Sequence, residues 1–312
     1  IDRWSVNHSV QNAPTSAQAD VASGTTPYSL GFRKELKVTN GDQSNGATAS
    51  SILYIRQMIE SQNMAQSGWN YTSSSSFITL SFWIKSSVAQ SFHGNLRTRD
   101  GTAQRFPFQT GALSANTWTK ITKKIPGNSN LQFDTDTTTN ASDRGLDLSI
   151  CPYMGTTYTD SGATFDQWQA STDSNFAGTD MTTTWFTTND ATLEITGVQL
   201  EVGSQATAFE HRSFGEELAL CQRYFQTYIN YAEYVSGGTG NLGMPYVSFT
   251  TPMRASPTFV NSAESKSSNW SFASMQVQGS DAEGYYAYAI SYNTTNSNYG
   301  YMRRSGTASA EL

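Results

Sequence analysis

The stretch SFITLSFWIKSS (Ser76–Ser87) alternates residue by residue between apolar and mixed positions. Its aliphatic and aromatic residues at even positions share one face of an extended chain: Ile78, Leu80, Phe82 and Ile84. The opposite face combines hydroxyl, aromatic and charged side chains. A strand with one apolar face belongs to a sheet that packs on a core by one side. The stretch therefore predicts a β protein whose core is bounded by sheets.

Strand-like runs recur on both sides of this stretch. They are Lys34–Thr39, Ser51–Glu60, Phe92–Arg99, Gln104–Thr110, Trp118–Ile125, Leu146–Met154 and Thr192–Val202. Turn-forming residues separate them, as in NGDQSNG (Asn40–Gly46), and no amphipathic helical pattern lies between them. Strands without intervening helices predict antiparallel sheets, arranged as a sandwich or a barrel.

The composition supports a folded protein and argues against several functional classes. Of the 312 residues, 12% are aromatic and only 14% are charged, which is the reverse of the balance in disordered chains. A net charge of −6 without a Lys/Arg cluster argues against a nucleic-acid partner. No apolar run approaches the roughly 18 residues that a membrane span needs, so we expect no membrane insertion. We expect Cys151 and Cys221 to be buried thiols that do not pair.

The period changes at SFGEELALCQRYFQ (Ser213–Gln226), where Ser213 and Glu216 form a capping-box signature. A broad apolar face of this predicted helix includes Leu218, Cys221 and Phe225. Six further strand-like runs follow: Tyr228–Val235, Met244–Met253, Pro257–Val260, Trp270–Gln278, Gly284–Tyr292 and Asn298–Arg304. The sequence thus predicts a β-sandwich domain at 1–212, a connecting helix at 213–226 and a smaller C-terminal β module at 227–312.

Three fragments resemble the tail-fibre and related virion proteins of tailed bacteriophages, many of them from marine and cyanobacterial hosts. The fragments are ITLSFWIKSS (Ile78–Ser87), ANTWTKITKKIPGN (Ala115–Asn128) and ITGVQLEVGSQATAFEHRSFGEELALCQRYFQ (Ile195–Gln226), and the third is the most specific. The resemblance implies an all-β chain: a jelly-roll β-sandwich, like those of carbohydrate-binding modules, followed by one short helix and a smaller C-terminal β module.

The resemblance also implies a structural, host-facing virion protein without enzymatic activity. We expect a tail-fibre or tail-tip adhesin that contributes to recognition of host surface polysaccharide, located in the tail rather than the head. We expect a homotrimer that contacts other virion proteins. Candidate subunit contacts are Leu218, Cys221, Phe225, Tyr286 and Tyr288. Two alternatives remain open: a head decoration or other purely structural virion protein, and a carbohydrate-binding module of a bacterial glycanase.

Residue patterns that indicate catalysis are absent from the sequence. The three histidines, His8, His93 and His211, lie in no recognisable catalytic motif. The spacing of the aspartates selects no carboxylate pair of the kind that glycosidases use. We therefore predict a protein that is not an enzyme and needs no cofactor. A structural calcium ion is a further candidate, because the resembling sandwiches sometimes hold one, and Asp134 and Asp136 in FDTDTTTN are its candidate ligands.

Aromatic side chains beside polar loops are the remaining candidates for function. Flat rings can stack on the apolar faces of sugars while neighbouring polar groups bind the hydroxyls. The candidate ligand-binding residues are Trp69, Tyr71, Tyr153, Tyr158, Trp168 and Trp185. Burial in the core is the competing interpretation of the same six residues and the commoner one for large rings. We expect Trp4, Trp83 and Trp118, which lie in or beside strands, to fill the core or its rim.

Overall fold

A computed structural model describes residues 4–133, 144–172, 174–235, 240–243, 246–266, 271–292 and 299–310. The chain divides into two compact units, Ile1–Glu210 and His211–Glu311. The sequence placed this division two residues later and treated the helix as a connector, whereas the helix belongs to the second unit. Within the described ranges, no helix is long and apolar enough to span a membrane.

Short strands dominate the first unit. The strands are β1 (Trp4–Ser9), β2 (Thr15–Asp20), β3 (Lys34–Thr39), β4 (Ile52–Glu60), β5 (Phe77–Ser86), β6 (Ser91–Thr98), β7 (Gln104–Ala112), β8 (Thr119–Pro126), β9 (Arg144–Met154), β10 (Thr159–Asp160), β11 (Gln169–Ala170), β12 (Ala177–Gly178) and β13 (Thr192–Val202). The helices are α1 (Thr26–Ser29), α2 (Ser61–Ala65), a 3₁₀ turn (Thr156–Tyr158) and α3 (Thr184–Thr187).

Two antiparallel sheets form an all-β jelly-roll sandwich, which confirms the predicted fold class. A six-stranded sheet has the order β1-β4-β9-β6-β7-β11, and a five-stranded sheet has the order β2-β3-β13-β5-β8. Consecutive strands repeatedly change sheet, as the order shows. A separate small pair, β10 with β12, is parallel. Each predicted strand of this unit is present in the structure within three residues of its predicted ends.

The core lies between the inner faces of the two sheets. The apolar face of β5 is almost fully buried, as its alternation predicts: Ile78, Leu80, Phe82 and Ile84. Phe82 meets Phe108 of the six-stranded sheet with ring centroids 6.4 Å apart. Gly94 lies opposite Phe108 in the strand register. Only glycine fits there, because a β-carbon would come within 2.3 Å of the ring. On the other face of β5, Thr79 is also buried and donates a hydrogen bond to the Gly203 carbonyl at 2.8 Å.

The second unit combines one helix with short sheets. Its elements are α4 (Phe214–Gln222), β14 (Phe225–Val235), β15 (Gly240–Gly243), β16 (Val247–Ser248), β17 (Thr258–Lys266), β18 (Ser271–Ser280), β19 (Gly284–Tyr292) and β20 (Tyr299–Ser309). Strands β14, β20 and β17 form one sheet, and β15, β16 and β18 pair with β19. A small core contains Tyr228, Met253, Tyr285, Ala308 and Ala310.

Helix α4 begins with the predicted capping box, in which Ser213 and Glu216 exchange hydrogen bonds with each other's backbone. The predicted end of the helix is wrong, because Phe225 already opens β14 and pairs with Ser309 of β20. The predicted strand at Met244–Met253 is much shorter among the described residues, where only Val247–Ser248 is a strand. Backbone pairing with a distant strand therefore overrides the local helical pattern at Phe225.

Candidate functional site

The outer face of the six-stranded sheet carries polar side chains across four adjacent strands. In β6, Phe92, Gly94 and Leu96 face the core, so alternation places His93, Asn95 and Arg97 on the outer face. The register aligns Arg97 with Asp147 of β9 and with Arg105 of β7. The next row aligns Asn95 with Ser149, and Ser149 with Arg56 of β4. Residues far apart in sequence thus form continuous rows on one surface.

Arg56, Arg99 and Asp147 form an ion-pair cluster on this surface. The Nε atom of Arg99 donates to Oδ2 of Asp147 at 2.6 Å, and its Nη2 contacts the same oxygen. Nη1 of Arg56 lies 3.9 Å from that oxygen. The Asp147 side chain is 2% exposed, whereas Arg56 and Arg99 are 18% and 19% exposed. The cluster therefore reaches solvent through its arginines while its carboxylate lies beneath them.

Two buried atoms of this cluster lack a hydrogen-bond partner among the residues that the structure describes. They are Nε of Arg56, a donor, and Oδ1 of Asp147, an acceptor. Buried donors and acceptors in folded proteins nearly always have a partner, since an unsatisfied one costs about 1–3 kcal/mol. Both atoms are shielded from solvent, so they mark a cluster whose hydrogen bonding is incomplete within the protein.

Arg144 adds a further positive charge to the same place. Burial lowers the pKa of its guanidinium, and the positive charges of Arg99 and Arg56 lower this pKa further, while Asp147 and Tyr54 raise it. Burial is the largest of these causes, and the charges that act on Arg144 are of both signs. Arg144 therefore adds a partly buried cation to the cluster.

A covering segment, residues 155–172 and 174–181, lies over another part of the same outer face. Asn95 donates its side-chain amide to the Phe176 carbonyl at 3.1 Å, and the Gly178 backbone N–H donates to Nδ1 of His93 at 3.2 Å. Ala177 of the segment forms a small buried cluster with Cys151 and Met154 of β9. Because His93 is buried, its pKa is lowered, although nearby Asp180 opposes this change. The histidine is accordingly neutral and accepts the Gly178 hydrogen bond.

Three half-buried rings border the arginines. Phe176 lies 5.8 Å from Tyr54 and 6.2 Å from Tyr158, measured between ring centroids. The guanidinium of Arg105 lies 4.0 Å above the Phe176 ring, and that of Arg56 lies 5.7 Å from the Tyr54 ring. We call these rings together with Arg56, Arg99, Arg144 and Asp147 the outer-face patch. Rings beside charged hydrogen-bonding groups are the combination that a sugar needs.

Of the six aromatic residues predicted to bind ligand, three are core residues instead. Trp69, Tyr153 and Trp185 are 3%, 6% and 0% exposed, so the expectation that they contact ligand is wrong. Each has a packing role: Trp185 donates its indole N–H to the Thr192 carbonyl at 3.0 Å, Tyr153 stacks on Phe186 at 4.2 Å, and Trp69 packs on Tyr71 and Phe133.

The other three predicted residues are half-buried and lie in different places. Tyr71 packs with Phe133, and Trp168 packs with Phe106 and donates its indole N–H to the Pro126 carbonyl at 2.7 Å. Tyr158 belongs to the outer-face patch. The remaining members of the patch escaped the sequence analysis, because Tyr54, Arg56 and Asp147 are strand residues that only the register brings together.

The structure also bears on metal and cysteine chemistry. Asp134 and Asp136, the candidate calcium ligands, lie outside the described residues. Within the described part of the chain, no three His, Cys, Asp or Glu side chains group in a way that could hold a metal ion. Cys151 and Cys221 do not form a disulfide; Cys151 is buried, whereas Cys221 is half-buried rather than buried as expected. Burial raises the pKa of the Cys151 thiol to about 12, which disfavours the reactive thiolate.

A second charged group lies on the five-stranded sheet. Glu35 of β3 and Glu194 of β13 are 6% and 5% exposed. Glu194 forms an ion pair with Lys85 and lies 3.9 Å from Lys37. Burial, followed by the charge of Glu194, raises the pKa of Glu35 to about 7, and the two carboxyl groups share a hydrogen bond. Glycosidase carboxyls are instead separated by about 5 to 9.5 Å, which leaves room for the substrate.

No protein-family model matches the chain, and no curated protein matches it. One similar solved structure is the enzymatically active domain of tailspike protein 4 of bacteriophage CBA120, with 10% identity and a TM-score of 0.35 over 64% of this chain and 19% of that one. The xylanase 10B CBM22-1–GH10 modules of Clostridium thermocellum, solved with xylohexaose, align at 12% identity and a TM-score of 0.31 over 68% of this chain and 28% of that one.

The tandem CBM22-1–CBM22-2 domains of Xyn10C from Paenibacillus barcinonensis align at 10% identity and a TM-score of 0.30, over 98% of this chain and 93% of that one. The chain spans only a small part of the tailspike domain and of the Clostridium thermocellum structure. Because these likenesses are weak, the assignment of the fold rests on the strand order and core described above.

Proposed function

We propose that the chain is a non-enzymatic glycan-binding protein of a phage tail that contributes to recognition of the host cell surface. The observation that carries this proposal is the outer-face patch, where the half-buried ring of Tyr54 lies beside the partly exposed Arg56 and near a buried carboxylate. Phe176 and Tyr158 continue the row of half-buried rings. Rings can cover the apolar face of a sugar while charged groups bind its hydroxyls. The resemblance of Ile195–Phe225 to virion proteins supports the location in a phage tail.

The chemistry of the described residues supports binding without catalysis. Glu35 and Glu194 share a hydrogen bond, which leaves no room between them for a glycosidic bond. His93 is buried, and its ring accepts a structural hydrogen bond from Gly178. Asp147 forms ion pairs with Arg99 and Arg56 and is buried beneath them, out of reach of a substrate.

The second unit supports assembly as a homotrimer, because it exposes large apolar side chains. On β14, Phe225 and Ile229 are 46% and 60% exposed, while Gln226 and Tyr228 point to the interior. Further exposed apolar residues of this unit are Phe214, Leu218, Leu220, Val260 and Tyr286. Exposed apolar residues grouped on one unit mark a protein interface more often than a free surface. Tyr288 is a candidate contact whose side chain is outside the described set.

Binding of bacterial envelope polysaccharides tests the proposed activity. We expect the purified chain to bind at least one member of an array of lipopolysaccharides and capsular polysaccharides. Tyr158→Ala should weaken that binding by about tenfold, because it removes one ring of the patch. Tyr28→Ala is the matched control, since Tyr28 is also a half-buried tyrosine in a short helix. Equal losses in both variants, no binding at all, or release of new reducing ends would contradict the proposal.

Two further measurements test the assembly and its location. Light scattering of the wild-type protein should give about three times the 34.1 kDa chain mass. Ile229→Thr should lower the measured mass toward that of one chain, and threonine is chosen because it keeps a β-branched residue in β14. An antibody to the chain should label virion tails in electron micrographs. Label on heads would favour a decoration protein, and unlabelled virions would favour a module of a bacterial glycanase.

A further inference from the structure

We propose that the outer-face patch selects an acidic sugar, in which a carboxylate binds the solvent-facing nitrogens of Arg56 and Arg99, while Asp147 beneath them holds the two arginines in place. This inference rests on the proposed glycan-binding function and adds the class of sugar. Its three residues lie on β4, on β9 and directly after β6, and the ion pairs with Asp147 hold them together.

Charge is the first argument. The chain as a whole carries a net charge of −6, so its average field repels a polyanion. At the patch the balance is reversed, because Arg56, Arg99 and Arg144 surround Asp147. Glu60 is the register partner of Arg144, and Asp100 accepts a hydrogen bond from Ser61 beside it, whereas Arg97 is the register partner of Asp147. With these included, four arginines face three carboxylates, which leaves one positive charge in excess. A local excess of positive charge on a protein of net negative charge favours binding of an anion at this one place, rather than attraction of anions to the whole surface.

The two unsatisfied atoms give the second argument. Arg99 already uses two of its nitrogens on Asp147, whereas Nε of Arg56 is a buried donor without a partner among the described residues. Oδ1 of Asp147 is the matching acceptor. The arginine charge is therefore only partly used within the protein, while Arg56 remains 18% exposed. An anionic group on a sugar pairs with such a guanidinium more strongly than a neutral hydroxyl does.

The rings give the third argument and favour a sugar over a free anion. Tyr54 lies beside the Arg56 guanidinium, and Phe176 lies beside Tyr54. A sugar ring that covers Tyr54 can therefore hold its carboxylate next to Arg56. The planar guanidinium can bind a carboxylate through two parallel hydrogen bonds, and this is the acidic group that a uronic acid ring carries.

Calorimetric titration with polygalacturonate and with its methyl ester tests the inference, because esterification removes the negative charge of each carboxyl group and adds only a methyl group. We expect wild type to bind polygalacturonate at least about tenfold more tightly than the ester. Arg56→Gln should remove most of this difference, and Arg56→Lys should retain part of it, because lysine keeps the charge without the planar fork.

Arg33→Gln is the matched control. Arg33 also carries a guanidinium over a tyrosine ring, 4.0 Å from Tyr28, and it is not part of the patch. It should change affinity less than about twofold, and thermal unfolding should verify that both glutamine variants remain folded. Raising the salt concentration should weaken binding more in wild type than in Arg56→Gln.

Each other result overturns the inference and identifies what fails. Equal binding of the ester refutes the selectivity for acids but leaves the glycan-binding function intact. Equal losses of affinity in Arg56→Gln and Arg33→Gln would show that the anion binds outside the patch. Binding of dextran sulfate but not of polygalacturonate would show that the patch selects sulfate instead of carboxylate. If neither acidic polymer binds, the inference is wrong, and the envelope-polysaccharide array decides separately whether the proposed function stands.

Discussion

Replacing Glu35 by glutamine should change how the stability of the first unit depends on pH. Glu35 lies on β3 next to Glu194 on β13, and both side chains are buried. Glu194 is the carboxylate that the positive charges balance, because Lys85 pairs with it and Lys37 lies 3.9 Å away. A second negative charge on Glu35 would be less well balanced. Burial and the charge of Glu194 therefore raise the pKa of Glu35 from 4.5 to about 7.

The size of the effect follows from that pKa. The folded state retains the Glu35 proton up to about pH 7, whereas the unfolded chain releases it near pH 4.5. The protonated carboxyl thus contributes stability that is fully present below pH 4.5 and is lost as the pH rises through about 7. At about 1.4 kcal/mol per pH unit, the loss amounts to about 3 kcal/mol. Glutamine keeps a donor toward Glu194 at every pH, so the variant avoids this loss.

Urea unfolding of wild type and Glu35→Gln between pH 4.5 and 8.5 measures the difference. Tryptophan fluorescence reports the first unit, because six of the seven tryptophans lie before residue 211. We expect the variant to gain stability over wild type by about 3 kcal/mol across this range. Glu216→Gln is a control that should leave this pH profile unchanged, because Glu216 lies in the second unit and its pKa is lowered from 4.5, below the range of the experiment. A wild-type-to-variant difference that stays constant with pH would refute the buried acid pair.

Three further outcomes follow from individual contacts. Gly94→Ala should destabilise the first unit by about 1–3 kcal/mol in urea unfolding, since its β-carbon would collide with the Phe108 ring, and an unchanged midpoint would contradict this contact. Ser213→Ala should destabilise helix α4 by about 1 kcal/mol by removing the capping box with Glu216, measured by hydrogen exchange of the helix amides. Burial lowers the pKa of His93, so protonation on acidification below pH 6.5 favours the unfolded chain. His93→Gln should therefore reduce the loss of stability in this range, and a stability-versus-pH profile identical to that of wild type would contradict the prediction.

The central strands and the edge strand β8 could be predicted from the sequence, whereas the other edge strands of the two large sheets could not. Strands such as β5 and β9 bury one or both faces, and their apolar residues give a clear pattern. Strands β1 and β2 went unrecognised, and each is the first strand of its sheet. Their side chains are half-buried or exposed on both faces, so WSVNHS and TSAQAD carry little alternation. An edge strand is defined by pairing rather than by burial, and pairing leaves no local signature.

The junction after helix α4 shows a related limit. Leu218, Cys221 and Phe225 fit one helical face, but Phe225, Thr227 and Ile229 also fit one face of a strand. The structure takes the second solution from Phe225 onward, because β14 pairs along its length with β20. The start of the helix was predictable because its capping box is local, and its end was not because the competing partner lies about 80 residues away, at Ser309.

The candidate site was harder still to foresee, because the sequence directs attention to the largest side chains. Most of those close the core: Trp185 is completely buried, and Trp69 packs within an aromatic group. The outer-face patch instead uses outward-facing positions of ordinary strands. Alternation could assign Arg56 and Asp147 to an outer face, but only the register places them on adjacent strands.

The stability of the folded state explains why Arg99 lies beside Asp147, but it does not explain the position of Arg56. Asp147 needs a cation because an isolated buried carboxylate is costly, and Arg99 supplies two contacts to it. Arg56 adds only a 3.9 Å contact with that carboxylate while its own Nε is buried without a partner among the described residues. A second arginine at such distance gains little for folding, since its desolvation offsets the attraction. Its position is better explained by a bound anion, and for this reason Arg56→Gln should leave unfolding nearly unchanged while it weakens binding.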